Sequence, residues 1–207
     1  MGVKGTKKTK KPEVIQMKRL FLAVLCIMVI GTVGYAASTA DINVRVSITG
    51  ANLSVSVLAA GTTTTTWDAG GNGVGTWSVM SSSVNVINDS GGVTETYRLL
   101  ASNATRLGGT TWTLSDTPGP EQYSMRAKFN GSTQPSNDDT GFPLATTKIT
   151  GANQTCDVAT WFAGTENGVG VVNNGLRGIW VRVGRPTSTI DTAEHWATLV
   201  ITAILAS

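Results

Sequence analysis

Hydrophobic and polar positions alternate in several stretches of the chain. Ile42, Val44, Val46 and Ile48 fall on one side of a period of two, and Asn43, Arg45, Ser47 and Thr49 on the other. After Gly50-Ala51-Asn52, the residues Leu53, Val55 and Val57 resume the pattern. Tyr123, Met125, Ala127 and Phe129 alternate with Ser124, Arg126, Lys128 and Asn130, and Ile179, Val181 and Val183 with Trp180, Arg182 and Gly184. Successive side chains of a strand point to opposite faces, so these stretches predict strands half buried on a core. Trp196 to Leu205, "WATLVITAIL", is apolar on nearly both faces, which predicts a central or covered strand. Gly, Asn, Asp, Ser and Thr cluster between the runs, as at Asn88 to Gly92 and Asn173 to Gly175, where they supply positive-φ turn positions. No window keeps a helical stripe for three turns, and Thr stands where Leu, Glu and Lys would be needed. The predicted class is all-β, an antiparallel β-sandwich.

One pattern repeats. "TWDAGGNGVG" occupies Thr66 to Gly75, and "TWFAGTENGVG" runs from Thr160 to Gly170; "ITGAN" precedes each, at Ile48 to Asn52 and Ile149 to Asn153. The spacing between copies is not constant, and the residues after them differ. Two origins stand: an internal duplication, or convergent turn chemistry in a chain rich in Gly, Thr and Asn. Under either, Asn-Gly predicts a turn at a sheet edge and Trp a cap over the core beneath it.

Charge changes the picture because it is uneven. The formal charge of +3 comes from 16 bases and 13 acids, but seven bases and only one acid, Glu13, precede Asp41. The rest of the chain holds 9 bases and 12 acids, a net of −3. The basic block leads into the apolar run Leu20 to Ile30 and then into small residues, the layout of a secretory signal peptide. Cleavage after Ala36 or after Ala40 fits. The expected organisation is a signal peptide with an extended basic n-region over residues 1–40 and a single β-sandwich domain over 41–207. A retained anchor or a lipid-modified Cys26 fits less well, given Gly31, Gly34 and the bulky Leu25. The remainder is mildly acidic and offers no basic patch to a nucleic acid. It contains one cysteine, Cys156, so no disulfide within the chain is available.

"VNVINDSGGVTETYRLLAS" (Val84 to Ser102), Trp112, Gly175, "IWVRV" (Ile179 to Val183), Pro186 and "ATLVITAI" (Ala197 to Ile204) together resemble immunoglobulin-like domains of bacterial and archaeal surface proteins. That group includes the type associated with alpha-galactosidases. The resemblance implies an immunoglobulin-like sandwich, an extracellular or cell-surface location and a spacer, carbohydrate-binding or surface-building role; it brings no shared catalytic residues. Asp116 to Trp161 is longer than such a domain needs. This stretch is expected either to add strands to an edge, Tyr123 to Phe129 among them, or to be a functional insertion.

Candidate chemistry is sparse. His195 is the only histidine, and no nucleophile motif accompanies it. One His and one remaining Cys cannot complete a zinc tetrahedron. Asp116, Glu121, Glu166 and Glu194 are carboxylates of the kind a glycosidase uses in pairs, but they stand in undistinguished surroundings. "SNDDTG" (Ser136 to Gly141) lacks the ligand alternation of an EF-hand and predicts a polar turn. Asn-x-Ser/Thr sequons occur at Asn52, Asn88, Asn103, Asn130 and Asn153. Trp180, beside Arg182, is either an exposed platform for a sugar or a subunit, or part of the core. No catalytic, metal or cofactor site is expected. The first expectation is therefore a secreted structural protein, a surface or filament subunit that self-associates or contacts other surface proteins. Its regular first strand, with Ile42, Val44, Val46 and Ile48, would complete a neighbour's sheet. The second is a polysaccharide- or matrix-binding module using Trp180 and Arg182. Neither calls for nucleic acid, nor for a membrane span once the leader is removed.

Overall fold

The computed structural model describes residues 39–40, 42–48, 55–57, 64–158 and 160–206. The expected signal peptide falls outside these residues except for Thr39 and Ala40. Among the described residues the regular structure is strand, apart from the four-residue helix α1 (Leu144–Thr147). The alternating stretches form strands as predicted: β2 (Ile42–Ile48), β3 (Val55–Val57), β11 (Gln122–Phe129) and β13 (Leu176–Gly184); the apolar run Trp196 to Leu205 lies in a further strand, β14 (His195–Leu205). The pieces that carried the family resemblance are also strands, namely β7 (Val84–Asn88), β8 (Glu95–Ala101) and β10 (Thr111–Leu114), with β13 and β14. Short strands complete the set: β1 (Thr39–Ala40), β4 (Thr64–Asp68), β5 (Asn72–Gly73), β6 (Trp77–Val79), β9 (Ala104–Thr105) and β12 (Gln154–Thr155).

The strands fall into two groups. One has the order β12-β8-β14-β2-β4; the other runs β11-β13-β7-β3, with β6 also on β13. Strand β10 joins them, pairing with β9 of the first group and with β11 of the second. The expectation of an antiparallel fold needs correction, because the sheet is mixed. Strand β2 runs parallel to β14 from His195↔Ile42 to Ile201↔Ile48, and β10 runs parallel to β11 over two pairs. Parallel neighbours cannot be joined by a tight hairpin. Strands β2 and β14 meet this condition by lying at opposite ends of the described chain.

The core lies between the groups, where Tyr97 of β8 meets Phe129 of β11 with ring centroids 6.1 Å apart. Strand β14 is central, between β8 and β2, and alternates fully buried with partly exposed positions along most of its length. Strands β11 and β13 depart from the half-buried expectation and are covered on both faces. The cover is the segment following β11, which buries Phe142, Ile149 and Phe162. Its main chain bonds to β11 through Ile149 N–H to Met125 O and Phe129 N–H to Phe162 O. It then crosses to β8, where Ala101 N–H reaches Thr150 O and Cys156 N–H reaches Tyr97 O. Tyr123 to Phe129 is thus no added edge, since β11 lies between β10 and β13; the additional part is the strap after it.

Candidate functional site

The first copy of the repeated string forms the end of β4, a turn and β5. Asp68 Oδ1 accepts Gly70 N–H at 2.8 Å, and Gly70 and Gly75 take φ of 77° and 70°, where a side chain would be strained. Arg185, fully buried just after β13, clamps this turn. Its Nη2 donates to the carbonyls of Ala69 (2.6 Å) and Gly70 (2.5 Å), and Nη1 donates to Ser78 Oγ (2.8 Å). The turn in turn holds β1, which pairs antiparallel with β5 and leads directly into β2. Sequence reasoning missed Arg185, because nothing marks it apart from its position after an alternating strand.

The second copy has a different surrounding. It forms no named strand and is stitched between β8 and β11: Phe162 takes φ 62° and donates to Thr146 O, while Gly168 O accepts Tyr97 N–H. A Cβ on Gly168 would stand 2.7 Å from Cys156 Sγ. Trp67 and Trp161 both pack against the core as expected. The two copies nevertheless do different jobs, an edge turn in one case and an irregular staple in the other.

The strap decides the fate of the proposed Trp180–Arg182 surface. Trp180 is 2% exposed, and its indole Nε1–H donates to Gly131 O at 2.9 Å. The exposed-platform reading gives way to the core reading, because chain that follows β11 lies over this face. Arg182 is likewise buried and is the cross-strand neighbour of buried Arg126. Both guanidinium groups lie over the Trp77 ring, 4.1 and 4.7 Å from its centroid, and both donate to Asp139 Oδ1, at 2.9 and 2.6 Å. The hydrogen bond from Arg182, then the hydrogen bond and charge of Arg126, hold the Asp139 carboxyl below its ordinary range. Asp138 Oδ1 accepts Gly141 N–H, Thr140 N–H and the Ser136 hydroxyl, which also lowers its carboxyl. "SNDDTG" is therefore a polar turn whose carboxylates face arginine and main chain.

The remaining candidates are dispersed. His195 is fully buried and stacked on Trp112 at 3.7 Å, with its two ring nitrogens against the carbonyls of Ala193 and Thr110. A base in that position faces no nucleophile. Asp116 pairs with Lys148, Glu121 holds the Thr189 hydroxyl and Ile190 N–H, Glu166 holds Gly178 N–H, and Glu194 is exposed on the turn before β14. The first three are each committed to a different element. Among the described residues no group of three or more His, Cys, Asp or Glu could share a metal ion. Cys156 lies beside an open pocket of about 300 Å³ lined also by Val158, Val169 and Leu205, and burial raises its thiol well above the ordinary range. Among the described residues no helix is long and apolar enough to cross a membrane.

What the fold does position is a strand. Strand β2 is flanked on both sides, by β14 through seven register pairs and by β4 through five. Ile42 and Val44 are fully buried; the side chains of Val46 and Ile48 lie outside the described residues. The outer edge of β4 pairs with no further strand among the described residues. No protein-family model matches the chain, and no curated protein sequence matches it.

Proposed function

We propose that this chain is an exported, non-catalytic structural protein, an immunoglobulin-like β-sandwich subunit that builds a cell-surface layer or filament by exchanging β2 between copies. The observation that carries the reading is the position of β2, the first long strand of the described chain, in an interior slot between β14 and β4. Its departure would strip both neighbours of their ladders, and an unmade buried hydrogen bond costs about 1–3 kcal/mol. The vacated slot is therefore a strong acceptor for the same strand of another copy. The leader-like segment delivers the chain outside the cell, and cleavage after Ala36 keeps β1 for its pairing with β5, whereas cleavage after Ala40 discards it. No cofactor is required, and the partner is a second copy of the chain.

The register supplies the test. Val44 and Trp67 are Cα partners across β2 and β4. In a Cys156→Ala background, Val44→Cys and Trp67→Cys copies are refolded together and oxidised. Strand exchange yields covalent heterodimers, and the double variant yields covalent ladders. If the double variant closes only within single chains and the mixture stays monomeric by light scattering, the proposal fails.

The binding-module reading keeps one specific observation. Trp196 is 47% exposed on β14, the one exposed tryptophan among the described residues. It predicts that Trp196→Ala weakens binding to a cell-wall polysaccharide by about 1 kcal/mol or more.

A further inference from the structure

The sequons divide into two chemical classes once the fold is known. Asn88 is fully buried, and its Nδ2 donates to two carbonyls, Val93 O and Val171 O, both at 2.7 Å, while its Oδ1 accepts from Ser90 N–H and the Ser90 hydroxyl. Both amide protons are committed. Asn130 is 8% exposed; Nδ2 donates to Thr133 O at 2.7 Å and Oδ1 accepts Thr165 N–H at 2.9 Å. A sugar on Asn88 would break a buried hydrogen bond, and the burial of both side chains leaves a sugar on either nitrogen no room. Asn103 and Asn153 are different. Both are exposed, as are Thr105 and Thr155 two residues on. Asn103 uses only its Oδ1, to hold Leu114 N–H at 3.0 Å, and an N-linked sugar leaves that oxygen in place.

These two positions lie on neighbouring turns. Ala101 N–H donates to Thr150 O, and Gln154 pairs with Leu99 of β8. We infer that Asn103 and Asn153 are N-glycan acceptor sites and that Asn88 and Asn130 are structural asparagines that the folded protein keeps unmodified. In the reaction, Nδ2 attacks the anomeric carbon of a lipid-linked oligosaccharide phosphate. The C–N bond forms as the C–O bond to phosphate breaks, the lipid phosphate leaves with the bonding electrons, and one amide proton passes to a base of the transferase. Sugar at both sites crowds the β8–β12 edge of the first strand group and leaves β4, at its far edge, clear. The inference rests on the reading that the chain is exported.

The test separates the two. The full chain, with Asn52→Gln because that sequon lies outside the described residues, is secreted from a glycosylating yeast behind a host export signal. Modification is then read whatever the chain's own leader does, and a parallel culture carrying only the native leader reads export. The secreted protein should show two glycan-sized mobility shifts that N-glycosidase removes, leaving isotope-labelled aspartate at positions 103 and 153 alone. Asn103→Gln and Asn153→Gln should each abolish one shift. Thr105→Ala and Thr155→Ala should repeat the result without touching the asparagines. Soluble secreted protein bare at both positions, or carrying sugar at Asn88 or Asn130, overturns the assignment.

Discussion

Replacing Arg185 by Met tests how the first repeated turn is held. The methionine fills much of the same volume but removes the donors that bond to Ala69 O, Gly70 O and Ser78 Oγ. Ala69 is buried, so its carbonyl is left without a partner at a cost of about 1–3 kcal/mol. Gly70 is only partly covered, so water recovers most of its loss. Loss of the guanidinium also relieves some desolvation, which offsets part of the penalty. The net expectation is about 1–2 kcal/mol. At about 2–4 °C per kcal/mol for a domain of this size, Tm should fall by roughly 2–8 °C. Arg185→Lys should lose nearly as much, since a single ammonium cannot reproduce the planar fork across two carbonyls and a hydroxyl. Calorimetry gives the shift, and amide exchange locates it: the pairing of β1 with β5 should lose protection first, because Arg185 holds the turn that carries β5. A variant that melts within about 1 °C of the parent, with unchanged protection over residues 69–75, would show that Arg185 is not the clamp.

Other expectations follow from single contacts. A Cβ at Gly178 would overlap the main chain of Gly131, so Gly178→Ala should destabilise by about 1–3 kcal/mol, read as a lower urea midpoint; an unchanged midpoint would mean that the strap yields freely. Cys156 should resist iodoacetamide at pH 8 in the native protein and react fully in denaturant, because burial keeps the thiol protonated; alkylation of the native protein at the rate of a free thiol would contradict its placement. The Asp139 carboxyl is depressed in the folded state, so its stabilising contribution is complete above the unfolded value near pH 4 and is lost as pH falls through the lower folded value. Its side chain is 76% exposed, which limits the effect to less than about 1 kcal/mol; Asp139→Asn should remove that acid-dependent part, and an identical acid titration of stability in parent and variant would refute it.

The strands were legible because period two is written into Ile42 to Ile48, Tyr123 to Phe129 and Ile179 to Val183, and local alternation needs no partner to be seen. What could not be read was what lies over the second face. Trp180 and Arg182 alternate with the core positions of β13, and only the strap after β11 makes them interior. That cover depends on contacts such as Trp180 with Gly131 and Arg182 with Asp139, which leave no periodic trace. The repeated string misled for a related reason. Asn-Gly and Trp-Ala-Gly encode local turn chemistry, and local chemistry does not say whether an edge strand or a staple follows. Parallel pairing was hidden as well, since alternation specifies faces but not strand direction.

Strand exchange makes a final demand that sets it apart from ordinary surface adhesion. A donated β2 makes the same contacts with β14 and β4 in a neighbour as in its own chain, so closed monomer and open polymer differ little in bonding. The difference lies in connectivity. Residues 49–54 tie β2 to β3 at a high effective concentration, on the millimolar scale for a short linker, and dilution therefore favours the closed form. High local protein concentration would favour the open one. Strand β1 travels with β2 and meets β5 of the acceptor, so weakening the β1–β5 clasp lowers the barrier to exchange and leaves the balance unchanged. Arg185→Met should accordingly speed the appearance of covalent ladders in the Val44→Cys, Trp67→Cys double variant at a fixed protein concentration, with the threshold concentration unchanged. Ladders that form no faster, or whose yield does not depend on concentration, would place assembly on the outer edge of β4 and leave β2 as an ordinary member of its own sheet.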